Sequence, residues 1–287
     1  MKYIKTFNEN INSSEIEAIC KKYNIKNYII NEDGSIDVDG NVDLSGKNLI
    51  VLPLKFRNVS GNFSCYDNQL TSLVGSPQNV GGYFSCSNNQ LTSLEGAPQS
   101  IGGNFYCAIN QLTSLDGAPQ RVGGNFSCRD NKLISLVGSP QSIGEDFHCS
   151  YNNLTSLEGS PKNIGGNFNC SYNQLTTLEG VPQRVGEYFS CNNNKLKNID
   201  YLPKYYKELD ISNNPITKII KLFTTSNEYR RISNREDKDL IMDFIDREII
   251  QQDKLLVNRL VEFLDDIGNQ KSREELIELL KNDYEIR

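Results

Sequence analysis

The sequence contains no tryptophan, two methionines and one histidine in 287 residues. A single histidine rules out His-rich zinc centres and leaves His-dependent catalysis little to work with. Long apolar runs are missing too: none approaches the roughly 18 residues that a membrane span requires, and the mean hydropathy is -0.50. The opening MKYIKTFNENINSSEIE has neither an apolar segment nor a small-residue cleavage site, so the expectation is a cytoplasmic protein without membrane contact. Basic clusters are absent. With a net charge of -6 and a pI near 5.1, the chain has no Lys/Arg stripe to neutralise the phosphates of a nucleic-acid duplex. No P-loop, G-x-S-x-G or H-E-x-x-H motif occurs, so the expectation is a non-enzyme with no catalytic residue, cofactor or metal.

What is present is a repeat. Phenylalanine recurs at Phe63, Phe84, Phe105, Phe126, Phe147, Phe168 and Phe189, each followed two residues later by cysteine, from Cys65 to Cys191. Asparagine follows from Asn68 to Asn194 in the same register, then leucine from Leu70 to Leu196 and proline from Pro77 to Pro203. The unit reads F-x-C-x-x-N-x-L-T-S-L-x-G-x-P-x-x-[VI]-G-x-x. In F-x-C the apolar residues alternate with polar ones, which predicts one short strand with Phe and Cys on the same side. Gly and Pro make the rest turn chemistry, with Leu70, Leu73 and Val80 pointing inward. Such a unit cannot bury its own apolar side, but stacked copies can, at roughly 4.8 Å per strand. The predicted fold is a β-rich α/β repeat, a solenoid of parallel strands in about nine turns.

These residues carry a resemblance. F-x-C-x-x-N-x-L resembles the L-x-L-x-x-N-x-L signature of leucine-rich repeats, with Phe and Cys in leucine positions. L-T-S-L-x-G-x-P is similar to the short bacterial class found in effectors of the YopM and IpaH type. "LKNIDYLPKYYKELDISNNPI" places Leu209, Ile211, Asn214 and Ile216 as that class does, and "VDLSGKNLIVLPLKF" supplies a degenerate first turn through Val42, Leu44, Leu49 and Leu52. The resemblance implies that the repeated asparagine turns inward to hydrogen-bond neighbouring backbone, and that the outward strand residues line a concave binding face. Effector relatives with ubiquitin-ligase activity carry a further catalytic domain with a nucleophilic cysteine; here no cysteine follows Cys191. The start MKYIKTFNEN and the repeat style resemble proteins of large tailed phages and their hosts, which implies a phage protein acting on a host or defence protein.

The cysteines lie one per strand, in a line that cannot converge on zinc and is poorly oriented for disulfides, so they read as small core residues beside Phe. A threonine column that could suggest an ice-binding face breaks at Ile134 and Lys197. Caps are expected at both ends of a solenoid. Residues 1–41 read as an N-terminal α/β cap, with a capping box at Ser14 and Glu17, an apolar face of Ile16, Ile19, Cys20 and Tyr23, and turns at Asp33-Gly34 and Asp39-Gly40. The D-x-D-G there lacks the glutamate that closes a calcium loop. Residues 42–217 form the solenoid. Residues 218–287 read as a helical cap or small helical domain of three amphipathic helices, the last opened by Ser272 and Glu275 with a stripe of Leu276, Leu279 and Leu280.

The outward strand positions carry mostly Asn and Ser, and departures from that background mark the candidate site. Tyr66, Tyr83, Tyr106, Arg129, Asp146, His148, Asn167, Asn169 and Tyr188 are the candidates for binding an unidentified protein partner, Tyr and Arg being the types that dominate interfaces. A small-ligand binder for a nucleotide or sugar and a self-assembling structural repeat are the alternatives; an oligomer is possible but not predicted.

Overall fold

The computed structural model describes residues 11–225, 231–251 and 253–287. The opening MKYIKTFNEN, which carries the phage resemblance, lies outside them. Each F-x-C does form a short strand, and these strands stack in parallel with Phe over Phe and the next residue in register. They belong to a 10-stranded sheet running from Val42–Asp43 to Glu208–Asp210, closed by the antiparallel strand Arg231–Ile232. Phe63 to Phe189 and Cys65 to Cys191 are fully buried, as are Leu70, Leu73 and their equivalents. Successive Phe rings lie 5.4 to 5.6 Å apart, mostly stacked, with an edge-on exception between Phe126 and Phe147. Burying each such ring contributes about 2 to 3 kcal/mol.

The expectation of one strand per unit falls short. The segment treated as pure turn contains a second strand, Asn79–Val80 and its equivalents Ser100–Ile101, Arg121–Val122, Ser142–Ile143, Asn163–Ile164 and Arg184–Val185. These form a 9-stranded sheet that also takes in Phe56–Val59 and the hairpin Tyr28–Ile30 with Ile36–Val38. The solenoid is therefore walled on two sides by parallel sheets, and the N-terminal hairpin is continuous with one of them. Between the sheets, the G-x-P turn needs a backbone that only glycine adopts freely: φ runs from +85° to +96° from Gly75 to Gly180.

The asparagine ladder closes the corners. Asn131 Nδ2 donates to the carbonyls of Cys107 at 3.1 Å and Cys128 at 3.0 Å, while its Oδ1 accepts the Leu112 N–H at 3.0 Å. Asn89, Asn110, Asn152, Asn173, Asn194 and Asn214 repeat the pattern, tying each turn to its neighbours. Backbone groups that a tight corner would bury unpaired are thus satisfied.

The ends differ in detail from expectation. Helix α1 (Ser13–Lys22) is capped by Asn12 with Glu15, not by Ser14 with Glu17. The Asn12 side chain accepts the Glu15 N–H and the Glu15 carboxylate accepts the Asn12 N–H, so the helix begins two residues earlier. Ile16 and Cys20 are buried, with Ile19 and Tyr23 packed partly against them. After the last turn come α2 (Thr217–Ile220), α3 (Arg235–Asp246), α4 (Val257–Asp266) and α5 (Arg273–Leu280). Ser272 and Glu275 do cap α5. Leu276 and Leu280 are buried, but Leu279 faces outward at 44% exposure, so it is not part of the stripe. A three-stranded sheet of Ile250–Gln251, Lys254–Leu255 and Glu285–Ile286, unanticipated from sequence, joins these helices. Phe223, Phe244 and Phe263 form its aromatic core, and the Tyr284 hydroxyl donates to the Lys197 carbonyl of the solenoid. No helix among the described residues is long and apolar enough to cross a membrane.

Candidate functional site

The outward side of the Phe-Cys sheet presents three columns, one before Phe, one between Phe and Cys, and one after Cys. The column before Phe was expected to be free of internal contacts, and it is not. Asn104 Oδ1 accepts the Asn125 N–H at 2.7 Å, Asn125 Oδ1 accepts the Asp146 N–H at 2.8 Å, Asp146 Oδ1 accepts the Asn167 N–H at 2.7 Å, and Asn167 Oδ1 accepts the Tyr188 N–H at 3.0 Å. Asp146 and Asn167 thus belong to a second side-chain ladder that braces the strands. The preceding glycine makes room for it: a methyl on Gly124 would overlap Asn104 Oδ1. The serines of the other two columns, such as Ser85, Ser87, Ser127 and Ser150, are buried rather than solvated.

Those small residues form the floor of a hollow of about 570 Å³. Tyr66, Tyr106, Arg129, His148 and Asn169 line it, together with Asn125, Ala108 and Ile109. The hollow therefore gathers five of the nine candidates. Tyr83 stands beside it, its ring 6.4 Å from that of Tyr106. Tyr188 lies away from it near the C-terminal end, where its hydroxyl donates to Asp210 at 3.1 Å and its ring lies under Arg231. Burial raises the Tyr188 phenol above its ordinary value. Arg129 pairs with Asp130 at 2.7 Å, and His148 Nε2 lies 3.6 Å from Asp146 Oδ2.

A fourth column, immediately after these three, was missed. Its backbone is left-handed in every turn, with φ near +55° at Asp67, Asn88, Ile109, Asp130, Tyr151, Tyr172, Asn193 and Asn213. Asp and Asn tolerate that region; Ile and Tyr do not, and each costs on the order of 1 kcal/mol there. Ile109, Tyr151 and Tyr172 are nevertheless placed outward, 41 to 49% exposed, with the Tyr151 and Tyr172 rings stacked at 4.4 Å. The signal was available in the sequence as a departure from Asn and Asp at one repeat position.

The buried cysteines take no part in the site. The thiols from Cys65 to Cys170 donate weakly to the carbonyl on the next strand, as Cys107 Sγ does to Ser127 at 3.4 Å. Burial pushes the Cys65 thiol up to about 12 and raises Cys86, Cys107, Cys149 and Cys191 well above the ordinary value. Among the described residues no group of His, Cys, Asp and Glu is placed to hold a metal ion.

One inward asparagine per turn, in-register parallel strands and apolar residues at the leucine positions together define the architecture. It is a leucine-rich-repeat solenoid. No protein-family model and no curated protein matches the sequence. Among solved structures, the chain is similar to YopM from Yersinia enterocolitica WA-314, at 21% identity and a TM-score of 0.44. That similarity covers 62% of this chain and 45% of the YopM chain, so the chain spans less than half of that protein's length.

Proposed function

We propose that this leucine-rich-repeat chain is a non-enzymatic recognition scaffold that binds another protein through the outward face of its Phe-Cys sheet. The observation that carries this reading is the make-up of the hollow and its rim. Tyr66 and Tyr106 stand over a floor of serines, with Asn125, Asn169 and Arg129 among them, and Tyr151 and Tyr172 are exposed in the column that follows. Antibody paratopes use the same mixture for the same reason: tyrosine supplies large amphipathic area with few rotors, and serine and asparagine supply adaptable hydrogen bonds. The strain at Ile109, Tyr151 and Tyr172 adds support, because unfavourable backbone placements persist where the exposed side chain serves something other than folding. The resemblance of the start MKYIKTFNEN and of the repeat style to proteins of large tailed phages extends the proposal to a phage-encoded cytoplasmic protein acting on a host or defence protein.

The test is affinity capture from a bacterial lysate with the parent chain and with a variant carrying Tyr66→Ala, Tyr106→Ala and Arg129→Ala, after both are shown to melt at similar temperatures. The expected outcome is a protein retained by the parent and lost by the variant. The hollow's volume also falls within the range of small-molecule sites. Binding of a nucleotide or sugar to the parent, with an unchanged set of captured proteins, would favour that second reading and defeat the first.

A further inference from the structure

The hydrogen-bonding groups with fixed roles around the hollow are donors, while His148, 3.6 Å from Asp146, and the other serine hydroxyls can give or accept. Asn125 and Asn169 line it, and the oxygen of each amide is already taken: Asn125 Oδ1 accepts the Asp146 N–H, and Asn169 Oδ1 accepts the Ser171 N–H at 3.0 Å. Those bonds fix the amide orientations and leave both NH2 groups as donors. The Tyr106 hydroxyl accepts from Asn104 Nδ2 at 2.7 Å, so its own proton is available to another acceptor. Ser87 Oγ accepts the Ala108 N–H at 3.0 Å and likewise keeps its O–H to give. Arg129 is donor-only, and the Asp130 pair engages just one of its nitrogens. No carboxylate lines the hollow, in a chain whose net charge is -6.

We propose that the hollow is a donor cradle for a carboxylate, and that the protein partner enters it with an Asp or Glu side chain flanked by apolar residues. This rests on the protein-recognition reading and names the chemistry of the partner. An acceptor-rich group satisfies the Tyr106, Ser87, Asn125, Asn169 and Arg129 donors together, whereas a donor-rich group would leave them unpaired. The charge balance selects a monoanion. Arg129 is the one full cation, Asp130 already offsets part of it, and Asp146 lies just outside, so a dianionic phosphate would be under-compensated. Tyr66 at one end and Ile109 on the rim supply apolar contact for the residues beside the carboxylate.

The experiment pans a displayed library of random dodecapeptides against the full chain, then measures selected peptides against Tyr106→Phe, Arg129→Gln and the control Tyr201→Phe, an exposed tyrosine outside the hollow. Tyr106→Phe removes a hydroxyl and leaves the ring, so the fold is kept. The expected result is selection of peptides that share an Asp or Glu next to an apolar residue. Affinity should fall about tenfold or more in Tyr106→Phe and Arg129→Gln, and stay unchanged in Tyr201→Phe. Neutral or basic peptides that depend on Tyr106 and Arg129 would overturn the carboxylate assignment and leave protein recognition standing. Selected peptides indifferent to both variants would also overturn it. Failure to select any peptide, with inorganic phosphate or adenosine monophosphate binding in a Tyr106-dependent way, would overturn both; failure with no such binding would overturn the cradle.

Discussion

Ile109 is a β-branched residue on left-handed backbone, flanked in its column by Asn88 and Asp130, which suit that backbone better. Replacing it with Asn relieves the strain without disturbing the core, because the side chain is outward. Ile109→Asn is expected to raise stability by about 1 kcal/mol in urea unfolding while weakening partner binding; a drop in stability would show that the side chain packs rather than strains. The cysteines make a prediction with a definite sign. Thiols in the unfolded chain ionise near pH ~8.5, whereas burial holds the proton on Cys65 up to about 12. Between those values the unfolded chain has lost protons that the folded chain keeps. Stability is therefore full below about pH 8.5 and declines above it, by up to about 1.4 kcal/mol per pH unit for each thiol. The urea midpoint is expected to be lower at pH 10 than at pH 8, with a smaller decline in Cys128→Ala. An aromatic disulfide reagent should leave the ladder thiols of the folded chain unlabelled at pH 8.

Phe, Cys, the inward Asn and the paired Leu were legible in the sequence because each holds a fixed place in successive turns. The second sheet was not. Its strands are two residues long with one inward member, such as Val80, so no alternation announces them; they exist because their backbone groups pair with the turns above and below. The C-terminal strands were hidden for the same reason, since Lys254–Leu255 pairs with Glu285–Ile286 across two helices, α4 and α5. In the candidate site, Tyr106 and Arg129 stood out by type, while Asn104 and Asn125 looked like solvated background and are braces. The inward ladder gives the sharpest test at this scale. Asn131→Ala leaves the Leu112 N–H without its partner and takes one of two asparagine donors from each of the Cys107 and Cys128 carbonyls, and should cost about 2 kcal/mol or more in chemical unfolding. Asn153→Ala, at the exposed position beside the inward Asn152 of the following turn, should change stability by less than about 0.5 kcal/mol. Equal effects would mean that the ladder is not what holds the corners.

The molecule as a whole is a stack in which register matters more than length. Residue pairs joined by the outer ladder are 21 apart, as Asn104 and Asn125 are, so removing residues 123–143 deletes one turn and rejoins its neighbours in register. That deletion is expected to fold, to melt cooperatively a few degrees lower, and to lose the Arg129-dependent face; circular dichroism and a melting curve check it. Removing ten residues from the same place should prevent folding, because Phe would then meet turn residues. The inward asparagines have a mechanical meaning as well. Each ties its own turn to the one before it, and to nothing farther away. A load applied between the ends finds no single clasp to break. It strips the coil one loop at a time, each loop of 21 residues letting out roughly 70 Å of chain, so the protein would lengthen in steps under tension like a ratcheted strap.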